Sequence, residues 1–92
     1  MARYIVSYDL NGSSPTHAKM DEHMAAVRWS YGRILETVWF VGTYRSTEQV
    51  FDHVNQILSK NDRLLVVQCD EAVWRNLLVT DDELMAAWAA NG

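Results

Sequence analysis

Arg3-Tyr4-Ile5-Val6-Ser7-Tyr8-Asp9 is an apolar run that ends in a carboxylate and passes at once into the turn-forming Asn11-Gly12-Ser13-Ser14-Pro15. Short β-branched and aromatic runs closed by turn residues are how buried strands read, so a strand is predicted over residues 3 to 9. An acid at the mouth of such a strand is where α/β sheets often place their chemistry, which makes Asp9 the first candidate site residue.

Outward from this strand, Ser14 is the expected N-cap of a helix with Pro15 at its first position, where the missing N–H costs nothing. Met20, Met24, Val27 and Tyr31 then form one apolar stripe at helical spacing, and Gly32 is expected to close the helix at C′. Arg33 to Glu36 reads as a short strand. Thr37 to Tyr44 is a stronger one, and its near-continuous apolarity predicts a central position.

Ser46-Thr47-Glu48-Gln49 is a capping box. The helix behind it carries Val50, Phe51, Val54, Ile57 and Leu58 on one broad face and stops at Lys60-Asn61-Asp62. Arg63 to Cys69 is the last predicted strand. The order strand, helix, strand, strand, helix, strand predicts an α+β fold of the ferredoxin-like, split-βαβ type. Its sheet is antiparallel, with the first and third strands at the centre and both helices on one face.

In that topology the apolar stretch Leu64 to Val67 falls at an edge, where it invites pairing with another chain. Either the remaining residues or a second copy of the molecule is expected to cover it. Thr80-Asp81-Asp82-Glu83 is a second capping box and opens a short helix with Leu84, Met85 and Trp88 on one side. Trp74, Leu77 and Leu78 read as packing groups ahead of it. The expected organisation is a single domain over residues 1–92, with a core at about 3–70 and a C-terminal extension from about 71.

Composition narrows the classes of function. The chain has 92 residues, 49% of them hydrophobic, and a formal charge of -4, which is the make-up of a globular domain with little general affinity for nucleic acid. Its 8 basic residues are scattered and form no run. The single cysteine, Cys69, lies in an apolar stretch without a Cys or His neighbour at metal-ligand spacing, so neither a disulfide framework nor a structural zinc site is predicted. It is expected to act as a small buried hydrophobe. No apolar stretch approaches the roughly 20 residues of a membrane helix, and the first apolar run is too short for a signal-peptide core. A cytoplasmic location and no membrane partner are the expectation.

Three motifs carry a family resemblance: Tyr4-Ile5-Val6-Ser7-Tyr8-Asp9-Leu10, Glu36-Thr37-Val38-Trp39-Phe40-Val41, and Asn61-Asp62-Arg63-Leu64-Leu65-Val66-Val67 after an amphipathic helix. Together they resemble the small ferredoxin-like proteins related to the CRISPR adaptation protein Cas-two, especially the stand-alone SinR-like branch, over about residues 3 to 70. The resemblance implies a homodimer, and an aspartate at the end of the first strand that holds a divalent metal such as Mg²⁺ together with its symmetry mate. Asp9 matches that position, as catalytic residue and metal ligand of a metal-dependent nuclease or a nucleic-acid-associated phage-defence factor. Family members that handle nucleic acid carry arginine and lysine after the first strand, where this chain has Asn11 to Pro15.

Each candidate also has a plainer reading. Asp9 could cap the following turn through the backbone of Asn11 or Gly12. His17, His23 and His53 form no metal box and are expected on the solvated surface. Asp21-Glu22 and Asp81-Asp82-Glu83 suit the positive ends of helices. Trp29, Trp39, Trp74 and Trp88 lack interleaved basic residues and read as core and interface anchors. Arg28 and Arg33, flanking the end of the first predicted helix, are the candidates for contact with a phosphate. The competing function is a non-enzymatic interaction or dimerisation module, which the acidic charge and the apolar edge favour.

Overall fold

A computed structural model describes residues 2–27 and 29–90. The elements in order are β1 (Ala2–Asp9), α1 (His17–Ala25), β2 (Ser30–Leu35), β3 (Val38–Thr43), α2 (Thr47–Asn55), β4 (Arg63–Gln68) and α3 (Asp81–Ala90). The strands form one antiparallel sheet in the order β2-β3-β1-β4, with β1 and β3 inside. The fold is therefore α+β, and the two strands expected at the centre, over residues 3–9 and 37–44, are the two inner ones.

Alternation along β1 divides its side chains between the faces of the sheet. Tyr4, Val6 and Tyr8 lie on one face and are buried with Trp39 and Val41 of β3, Met20 and Met24 of α1, and Val50 and Val54 of α2. Trp39 donates its indole N–H to the Tyr8 hydroxyl at 3.0 Å inside this core. Two aromatic polar groups thus satisfy each other away from water. The opposite face has a smaller core of Ile34, Phe40 and Leu84, with Ile5, Val38, Trp74, Leu77, Val79 and Trp88 packed against it. Residues 71–90 build this second layer.

The C-terminal layer covers the β2 side of the sheet. Leu78 donates its backbone N–H to the Ile34 carbonyl at 2.9 Å. Arg3 donates from Nε to the Trp88 carbonyl at 2.9 Å and stacks its guanidinium 4.7 Å from the centre of that indole. Among the described residues, no backbone hydrogen bond reaches the outer side of β4. The extension therefore covers a face, and leaves the β4 edge uncovered.

Several boundaries differ from expectation for physical reasons. Thr16, and not Ser14, is the N-cap of α1, since its hydroxyl accepts the Lys19 N–H at 3.3 Å. Pro15 precedes the cap, is buried, and follows Ser14 through a cis peptide bond. α1 ends at Ala25, and Tyr31 and Gly32 belong to β2, where their backbones pair with Val41 and Phe40. The helical spacing that links Met20 and Met24 to Tyr31 is broken by this pairing, because β3 offers a ladder of hydrogen bonds that an isolated last turn cannot match. The capping box at Ser46 forms in full. At Thr80 the hydroxyl accepts the Glu83 N–H at 3.1 Å. Cys69 is half-buried rather than buried, with its thiol 2.9 Å from the Glu71 carbonyl.

Candidate functional site

Asp9 ends β1 on the face opposite α1 and α2, directly across from Arg63 of β4. Its carboxylate is 63% exposed and 3.8 Å from the Arg63 guanidinium, an exposed ion pair of small net worth. Ser7, Asp9, Arg63 and Leu65 line a shallow depression of about 140 Å³ at this corner of the sheet. The second layer stops short of it, so Leu65 is 60% and Val67 42% exposed beside the open edge.

The turn after Asp9 is organised by a different acid. Asp62 accepts the Asn11 N–H at 2.7 Å and the Ser59 N–H at 2.8 Å, while the Asn11 amide donates to the Asn61 carbonyl at 3.0 Å. The bond from Asn11, followed by those from Ser59, holds the Asp62 carboxyl below its ordinary range. Gly12 fits here because a Cβ would stand 2.8 Å from the Ser59 hydroxyl. The capping role expected of Asp9 thus belongs to Asp62, whose partner lies 51 residues away in sequence. Asp9 is left with its side chain turned to solvent.

A Mg²⁺ centre needs carboxylate oxygens, and one chain supplies a single acid at this corner with a cation already beside it. Among the described residues, no group of three or more His, Cys, Asp and Glu side chains comes together. Within one chain the donor set does not fit the implied metal, which would require the carboxylate of a second copy. Arg33 sits on β2, the other outer strand, 3.8 Å from Asp21, and donates to the Glu36 carbonyl at 3.4 Å. Asp9 and Arg33 are therefore not brought together within the chain. Arg28 lies outside the described residues.

A second polar constellation joins the helices. His23 of α1 and His53 of α2 stack with ring centroids 4.0 Å apart and planes 4° from parallel. Each ring donates its Nε2–H to the other residue's backbone carbonyl, at 3.0 Å for His53 to His23. A carbonyl only accepts, so each ring carries a proton on Nε2. Burial pushes the His53 pKa down, against the opposing effect of its hydrogen bond to His23. Both residues are half-buried, which corrects the expectation of solvated histidines. The signal was present in a form that spacing within one helix does not reveal: each histidine immediately precedes a fully buried residue, Met24 or Val54, on neighbouring helices.

His53 also makes a T-shaped contact with Trp29, with ring centroids 5.1 Å apart and planes at 74°. These two side chains form one wall of a groove of about 510 Å³ between the end of β3 and α2, whose rim carries Tyr44, Arg45, Gln49, Asp52 and Gln56. No helix among the described residues is long and apolar enough to cross a membrane. No family model matches the chain, and no curated protein or solved structure is similar enough to count as a match.

Proposed function

We propose that the chain is a self-associating module of the ferredoxin-like, Cas-two/SinR-like kind, two copies of which pair through β4 and the adjoining bare corner of the sheet. The observation that carries this reading is the open β4 edge with Leu65 and Val67 exposed beside it. Unpaired strand edges offer ready backbone donors and acceptors to another chain. Full burial of such a side chain contributes about 1.5–3 kcal/mol, of which the part still exposed on Leu65 and Val67 is available to an interface before the costs of association. Asp9 and Arg63, of opposite charge and 3.8 Å apart, make the corner self-complementary, as a two-fold interface requires. The ferredoxin-like assignment is supported by the inner positions of β1 and β3 and by the packing of α1 and α2 on one face.

Sedimentation at rising concentration tests the pairing. The wild type is expected to form a dimer and Leu65→Lys to stay monomeric. Leu65 is the informative position, because Val66 packs toward the helices and its substitution would disturb the core. A wild type that remains monomeric at hundreds of micromolar rejects the reading.

A second reading, hydrolysis of a phosphodiester with Asp9 as metal ligand, is favoured by the solvent-facing Asp9 carboxylate at the same seam. Pairing through that corner would add a second Asp9. Incubation of labelled single- and double-stranded DNA and RNA with Mg²⁺ or Mn²⁺ checks it. Cleavage that persists in Asp9→Asn, or no cleavage at all, removes Asp9 from a catalytic role.

A further inference from the structure

We propose that the groove between the end of β3 and α2 is a binding site for a single nucleotide, whose base stacks against Tyr44 and Trp29 and whose phosphate meets Arg45. This site is separate from the β4 corner and does not rest on the pairing of two copies. Its volume of about 510 Å³ lies within the range of roughly 300–1,000 Å³ typical of small-molecule sites.

The rim is held in place at three consecutive points. The Arg45 N–H donates to the Thr43 hydroxyl at 3.2 Å, the Tyr4 hydroxyl donates to the Arg45 carbonyl at 2.7 Å, and Ser46 closes the capping box of α2. On this fixed backbone the Tyr44 ring is 83% exposed. Arg45 is also exposed, and among the described residues no carboxylate pairs with it. An aromatic face and an unpaired guanidinium presented side by side from an ordered backbone suit a ligand that is both planar and anionic.

The opposite wall is ordered as well. Trp29 packs in a T-shaped contact with His53, which is itself fixed by stacking and hydrogen bonding to His23. Along α2, Asp52 and Gln56 stand four residues apart on the groove side and supply acceptors and donors. The Gln49 carbonyl oxygen is occupied by the Ser46 N–H at 2.9 Å, which leaves its NH₂ group to donate. A carboxylate, amides and a guanidinium around one groove match a base bearing an exocyclic amine and a phosphate. The net charge of -4 and the scattered basic residues oppose a long polyanion, which selects one nucleotide over a duplex.

The test is calorimetric titration of the full chain at low salt with AMP, GMP, CMP and UMP, the matching nucleosides, inorganic phosphate and single-stranded RNA tetramers. At least one monophosphate is expected to bind saturably and more tightly than its nucleoside. Arg45→Gln and Tyr44→Ala should each weaken that binding at least tenfold, while Lys60→Gln, which removes the same charge elsewhere, should leave it within twofold. Tetramers binding more tightly than monophosphates would overturn the assignment to a single nucleotide, and weaker binding would support it. Both variants alter exposed side chains, so unchanged far-UV spectra and melting should accompany the loss. No saturable binding of any nucleotide, phosphate binding as well as the nucleotides, or binding unmoved by both variants overturns the proposal.

Discussion

At the scale of single residues, the His23–His53 pair makes stability depend on pH in a defined direction. Burial lowers the His53 pKa from 6.5, so the unfolded chain takes up the proton first as pH falls. The stabilising contribution is complete above about pH 6.5 and is lost as pH falls from there through the folded-state value. The melting midpoint should therefore drop between pH 7 and pH 5, and His53→Gln should flatten that slope. Asp62 acts in a lower window. Its pKa is depressed from 3.8, so its contribution is present above that value and is lost as pH falls further. In the main core, Tyr8→Phe removes the hydroxyl that accepts the buried Trp39 indole N–H and should cost about 1–3 kcal/mol, read from denaturant midpoints at constant slope. The Asn11–Asp62 clasp was not legible in the sequence and the histidine pair only as two positions each followed by an apolar residue, because the partners are 51 and 30 residues apart and their meeting depends on how elements pack. Asp9 was legible as a strand end but not as a bystander to its own turn.

Among elements, β1, β3 and β4 could be read as local apolar runs closed by turn or capping residues, whereas β2 (Ser30–Leu35) was expected only over Arg33 to Glu36. The C-terminus of α1 could not be read. Tyr31 and Gly32 suit either a last helical turn or a strand, and β3 decides between them by pairing with both. The extension was recognised as packing material, but its destination was not. Trp74, Leu77, Val79, Leu84 and Trp88 assemble on the face carrying Ile34 and Phe40, a choice made by sheet alternation across three strands and not by any spacing within the tail. Leu84 is the buried anchor of α3, at 5% exposure. Leu84→Ala should destabilise by about 2–5 kcal/mol, with loss of α3 signal preceding loss of the sheet in a thermal scan followed by NMR.

For the whole molecule, the radius of gyration of 12.7 Å is close to the roughly 12 Å expected of a compact domain of this length. Compactness is achieved with two unequal layers. α1 and α2 seal one face of the sheet, while residues 71–90 seal part of the other and leave its β4 side bare. If two copies pair there, folding and association are linked, and the melting midpoint of the wild type should rise with protein concentration while that of Leu65→Lys should not.

The unequal layers also set an order of opening. The second layer is built from one contiguous stretch of chain, tied to the sheet by Leu78, Arg3 and the side chains around Leu84. Such a unit can detach while β1 and β3 remain paired, and its detachment would uncover Ile5, Ile34 and Phe40. Native-state hydrogen exchange should find the amides of α3 opening at a lower free energy than those of the inner strands.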